Sequence, residues 1–140
     1  MILTLMVSMS SFATAWTAKL IQAADCKNGV NTWQVFRKTV TLSAVPKQLT
    51  AKISVDSKYW LWINGRMVVF EGGLKRGPSP TDSYYDEVNI GQYLQKGRNV
   101  IALLTLYYGK EGFSHKSSGY GALLFEARGG KVNICSDADW

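Results

Sequence analysis

Histidine, cysteine and proline are the scarce residues of this 140-residue chain, which has one His, two Cys and three Pro. A zinc site draws its ligands from closely spaced His and Cys, and here His115 stands alone with no Cys-x-x-Cys pair, so no metal and no cofactor is expected. Two cysteines are too few for a disulfide framework. Cys26 and Cys135 nevertheless lie near opposite ends of the chain, and a bridge between them would stabilise by about 4–5 kcal/mol in the chain-entropy model. Two free thiols are the other reading, and the distance that decides is not in the sequence. Also missing is any stretch of sustained helical periodicity, and no run reaches the roughly twenty apolar residues of a membrane span. Basic residues are plentiful, with 16 Lys and Arg against 10 Asp and Glu, but they are scattered, and only Arg37-Lys38 and Lys75-Arg76 are adjacent. Nucleic-acid binders gather such charge into a stripe, so no nucleic-acid partner is expected.

Charge is absent altogether from Met1 to Ala15. The run is apolar through Val7, then rich in Ser, and Ala13-Thr14-Ala15 fits the small-x-small pattern of signal cleavage. Residues 1–15 therefore read as a signal peptide, whole or truncated, without a basic n-region, with export to the periplasm or the medium and a single domain over 16–140 as the expectation.

What is abundant is β-forming sequence. Tyr59-Trp-Leu-Trp-Ile63 and Arg66-Met-Val-Val-Phe70 flank Asn64-Gly65, a pair suited to the two positive φ angles of a type I′ turn, so this is a β-hairpin. Further strands are expected over Trp33–Leu42 with a bulge or face switch, Leu49–Val55, Val100–Tyr108 as a central strand covered on both faces, Gly121–Ala127 and Lys131–Cys135. Trp16–Ile21 could be an edge strand. Glu71 to Asp86 is too rich in Gly, Pro and Ser to continue the hairpin and reads as a long loop, as does Gly109 to Gly119. Short strands with frequent turn signals indicate an all-β fold, a β-sandwich or jelly roll.

Two features invite a binding role. Trp60 and Trp62 share the face of their strand opposite Tyr59, Leu61 and Ile63, which suits either burial on both faces or a stacking platform for a sugar ring. The two loops and their flanks carry Lys75, Arg76, Asp82, Tyr84, Tyr85, Asp86, Tyr108, His115 and Lys116, polar and aromatic groups suited to hydroxyl recognition if the fold gathers them. Ordinary strand tyrosines and solvated loop charges are the competing reading.

Taken together, Trp16-Thr-Ala-Lys-Leu-Ile21, Asn31-Thr-Trp-Gln-Val-Phe-Arg-Lys38, Asp56-Ser-Lys-Tyr-Trp-Leu-Trp-Ile-Asn-Gly65, Arg76-Gly-Pro78, Tyr84-Tyr-Asp86 and Leu94-Gln-Lys-Gly-Arg-Asn-Val-Ile-Ala102 resemble the N-terminal, galactose-binding-like β-sandwich of bacterial α-L-rhamnosidases. The resemblance implies an accessory domain cut from a longer, exported glycoside hydrolase, the closing Ser136-Asp-Ala-Asp-Trp140 leading into the next domain. It also implies that the two carboxylic residues of the inverting reaction lie in a separate helical barrel. Glu71, Asp82, Asp86, Glu87 and Glu111 lie on loops or strand ends, so no catalytic residue is assigned. The implied partner is a rhamnose-containing glycan or the catalytic domain of the same polypeptide. A free-standing carbohydrate-binding module and a purely structural wedge between domains stay open as alternatives.

Overall fold

The computed structural model describes residues 16–74, 83–113 and 115–140. The expected signal peptide, residues 1–15, lies outside them. Among the described residues eight strands form, β1 (Thr32–Leu42), β2 (Thr50–Val55), β3 (Lys58–Ile63), β4 (Arg66–Gly73), β5 (Asp86–Asn89), β6 (Gly97–Tyr107), β7 (Leu123–Gly129) and β8 (Val132–Cys135), with one 3-10 turn at Gly91–Tyr93. They make two antiparallel four-stranded sheets, ordered β1-β6-β3-β4 and β5-β2-β7-β8, packed as a sandwich. The chain is all-β, as its patterning indicates.

Period-two alternation decides what enters the core. Tyr59, Leu61 and Ile63 of β3 and Ile101 and Leu103 of β6 face Ala51 and Ile53 of β2 and Leu123, Phe125 and Ala127 of β7, all buried. The hairpin turn is as expected, with Asn64 at φ 51° and Gly65 at φ 78°. Asn64 also ties the turn inward. Its amide donates to Tyr93 O and Asn99 Oδ1, and its Oδ1 accepts from Val100 N. Asn99, fully buried, returns bonds to Gln95 and Gly97, so the hairpin tip and the start of β6 are one polar knot.

Four expectations are corrected. β1 has no bulge or face switch, since its register with β6 is unbroken from Thr32 opposite Tyr107 to Leu42 opposite Gly97. Gln34 and Lys38 take inward positions instead: Gln34 bonds Ala23 N and Gly121 O, and Lys38 at the margin reaches Asp137. β4 runs on through Glu71-Gly72-Gly73 rather than ending before it. These glycines are there for space, because a Cβ on Gly72 would stand 2.4 Å from the Tyr59 ring and one on Gly73 2.4 Å from Ser57 O. Trp16–Ile21 contributes only a single bridge, Ile21 to Leu123, and no strand. β6 is central in its sheet, but its outer face, Val100, Ala102, Leu104 and Leu106, is only half-buried.

Candidate functional site: an aromatic outer sheet face

The outer face of the β1-β6-β3-β4 sheet is apolar and aromatic. Trp33 lies opposite Leu106, and Leu104 lies between Val35 and Trp60. Although β6 separates β1 from β3, the Trp33 and Trp60 indoles reach over it and stack, centroids 5.5 Å apart with 30° between planes. Phe70 of β4 meets Trp60 edge-on at 6.4 Å. Trp33 is 53% exposed, Val35 71%, Phe70 70% and Met67 48%, so the face is uncovered on both β1 and β4, the two edge strands of the sheet. Trp60 is thus not a core residue but the centre of this patch, and Trp62 shares its face, paired with Met67 and Ala102. Arg37 beside it is exposed, and Lys58 donates to Glu71 at 3.1 Å, an acceptor that holds the Lys58 ammonium above its ordinary pKa.

The other candidate residues do not converge on this face or on each other. Asp86 Oδ2 accepts from the Tyr59 hydroxyl and from Gly73 N, tying the margin of one sheet to the other. Burial and that carboxylate push the Tyr59 phenol well above its ordinary range. Tyr85 packs edge-on against Trp16, with Lys52 Nζ 5.2 Å from the Tyr85 ring and 5.8 Å from Trp16, on the outer face of the second sheet. Tyr84 is exposed, and Lys116 pairs with Glu111. Lys75, Arg76 and Asp82 lie outside the described residues.

Tyr108 and His115 belong to a third location, a buried polar cluster at the base of the 109–119 loop. Asp56 Oδ1 faces His115 Nε2 at 3.0 Å and accepts from Ser57 Oγ at 2.7 Å, while its Oδ2 accepts from the Ser117 and Ser118 hydroxyls and Ser118 N. The three residue types are those of a nucleophilic triad, but the arrangement is not. A triad needs one imidazole nitrogen on the Ser and the other on the Asp. Here Nε2 faces both, Nδ1 has no partner among the described residues, and Ser57 is fully buried, out of reach of any substrate. The cluster fastens the loop.

No protein-family model and no curated protein matches the chain. Solved structures do. A GH78 family rhamnosidase of Bacillus sp. GL1 superposes with a TM-score of 0.74 at 29% identity, covering 88% of this chain and 13% of that one. The sandwich is similar to one domain of GH78 rhamnosidases. The Streptomyces avermitilis α-L-rhamnosidase complexed with L-rhamnose agrees in fold, with a TM-score of 0.64 at 19% identity over 88% of this chain and 12% of that one. An α-L-rhamnosidase from Aspergillus terreus matches over 74% of this chain, with a TM-score of 0.53 at 21% identity. This chain therefore spans about an eighth of the length of the first two rhamnosidases it matches.

In the rhamnosidase-like sandwich Cys26 and Cys135 are both free thiols. Burial pushes the Cys135 thiol up, helped by Glu126. Among the described residues no group of three His, Cys, Asp or Glu could hold a metal. Sequence reasoning missed Trp33 and Phe70 as members of the aromatic face. The signal was there for Trp33: it shares parity with Val35 and Arg37, the outward set of β1, and two outward-facing indole strands in one sheet make a patch.

Proposed function

We propose that this chain is the non-catalytic β-sandwich domain of an exported α-L-rhamnosidase-type glycoside hydrolase, and that it docks onto the rest of that polypeptide through the Trp33–Trp60–Phe70 face. The observation that carries the docking is the uncovered stack itself. Soluble domains rarely leave a contiguous apolar patch of several strands in water, and large exposed patches mark interaction surfaces. Tyr and Trp are the side chains that most often anchor such contacts. The likeness to a stretch that makes up 13% of a GH78 rhamnosidase supports a larger polypeptide as the setting. The uncharged Met1–Ala15 run supports export.

The test is a comparison of two proteins, this chain and the polypeptide encoded with its downstream reading frame. Trp33→Ala with Trp60→Ala should lower the melting temperature of the larger protein by several degrees more than that of the chain alone. Equal effects in both, or a stop codon directly after Trp140, would overturn the docking reading.

A further inference from the structure

β1 is an edge of its sheet, 11 residues paired on one side only, to β6. Which of its peptide groups look outward follows from its neighbours. Asn64 N donates to Val100 O at 2.9 Å, so the even-numbered residues of β6 turn their peptides to β3 and the odd-numbered ones to β1. Thr105 of that odd set faces Gln34, and its Oγ1 donates to Gln34 O at 3.5 Å. The even-numbered residues of β1 are therefore the ones bonded to β6. Trp33, Val35, Arg37, Thr39 and Thr41 point their N–H and C=O groups away from the sheet, and no described residue bonds to them there.

Free edges invite pairing, and folds ordinarily blunt them by shortening, bulging or charge. Among the described residues the other edges are blunted. β5 and β8 have four residues each, and β4 is bulged against β3. β1 is long, and its register is unbroken. Its inward-turned charge, Lys38, which would discourage a neighbour, is neutralised by Asp137 at 2.9 Å. Beside the edge lies an open groove of about 580 Å³, lined by Val35 and Phe36 on β1 and by Lys19, Leu20 and Trp140, which leaves room for the inward side chains of one more strand. The edge is also continuous with the aromatic face, since Trp33 and Val35 belong to both. A second copy is a poor occupant. Antiparallel self-pairing over the whole strand sets Arg37, its middle residue, against Arg37 of the other copy, and like charges directly opposite are destabilising. Arg37 and Lys19 are exposed and form no ion pair with the described residues, so the neighbour that fits is acidic there.

We propose that an extended segment of the rest of the polypeptide adds to the free edge of β1 as a further strand, apolar beside Trp33 and Val35 and acidic beside Arg37. Such a strand presupposes the docking reading and adds to it main-chain hydrogen bonds, the hold that a sheet edge offers. Residue-resolved hydrogen exchange is measured on this chain and on the polypeptide encoded with its downstream reading frame. In the chain alone the Trp33, Val35, Arg37, Thr39 and Thr41 amides should exchange fast and those of Gln34, Phe36, Lys38 and Val40 slowly. In the larger protein the odd-numbered set should slow about a hundredfold. Thr39→Pro removes an outward N–H that the chain itself does not use, and Arg37→Glu reverses the charge; each should restore fast exchange at the remaining odd-numbered amides while the even-numbered ones stay protected. Odd-numbered amides that exchange equally fast in both proteins overturn the added strand, and leave docking through the aromatic face standing where the tryptophan substitutions still separate the melting temperatures. Slowing that survives both substitutions comes from burial alone and overturns it as well. Slowing in the chain alone that grows with concentration gives the edge to a second copy, and a stop codon directly after Trp140 overturns both readings.

Discussion

Asn99 shows how much one polar side chain can hold in a sandwich. Its amide group satisfies Gln95 N, Gln95 O, Gly97 O and the Asn64 amide from a fully buried position. Asn99→Ala leaves several of these without partners and should cost about 2–3 kcal/mol in urea unfolding, far more than an exposed Asn would. Two residues before Val40, the β1 partner of Asn99, the Lys38 ammonium donates to Asp137 and holds that carboxyl below its ordinary range. A carboxyl whose pKa is lower folded than unfolded contributes its full stability above the unfolded value and loses it as the pH falls through the lowered one. Lys38→Ala should therefore be less stable than the parent at neutral pH, by no more than about 1 kcal/mol because Asp137 is 45% exposed, and the two should converge below the carboxylate range, about pH 4. Melting curves against pH check both the size and the direction. The thiols give a third outcome: with Cys26 and Cys135 free, reductant should leave the melting temperature unchanged and both should titrate in denaturant.

Strands and turns were mostly legible in the sequence, for reasons that differ from element to element. The type I′ hairpin was readable because Asn-Gly between two β-branched runs has few other uses, and β2 because Leu49, Ala51, Ile53 and Val55 alternate without interruption. The end of β4 was not, because Gly72 and Gly73 look like a breaker until the Tyr59 ring and Ser57 carbonyl that crowd them are known. Local composition cannot report a partner thirteen residues away across a bulged pair. Gly73→Ala tests this account: it meets a backbone oxygen and a positive φ of 86° together, and should cost about 2 kcal/mol or more by thermal unfolding. The candidate site was legible only in part. Trp60 and Trp62 were identified from parity, but Tyr85, Asp86 and His115 went to three separate places, because sequence proximity in loops says nothing about which sheet face receives them. His115 in particular reads as a surface group in Ser114-His-Lys-Ser, and the Asp56 carboxylate that draws it inside lies 59 positions earlier.

The molecule as a whole has two unlike outer faces, one aromatic over β1, β6 and β3, the other charged over β5, β2 and β7. Among the described residues no carboxyl is assigned to a catalytic pair, and Glu126 on the charged face is committed to the Thr17 and Ala18 amides. The purified chain should accordingly release no p-nitrophenol from the α-L-rhamnoside above a blank. The aromatic face bears on something else as well. The odd residues from Tyr59 to Ile63 belong to the core, while Trp60 and Trp62 lie on the outer face. In a saturation-mutagenesis scan of this chain alone, tolerance along β3 should oscillate with a period of two, permissive at 60 and 62 and strict at 59, 61 and 63. In the docked polypeptide the oscillation should flatten into an unbroken intolerant stretch, so the depth of that ripple measures how completely the outer face is covered.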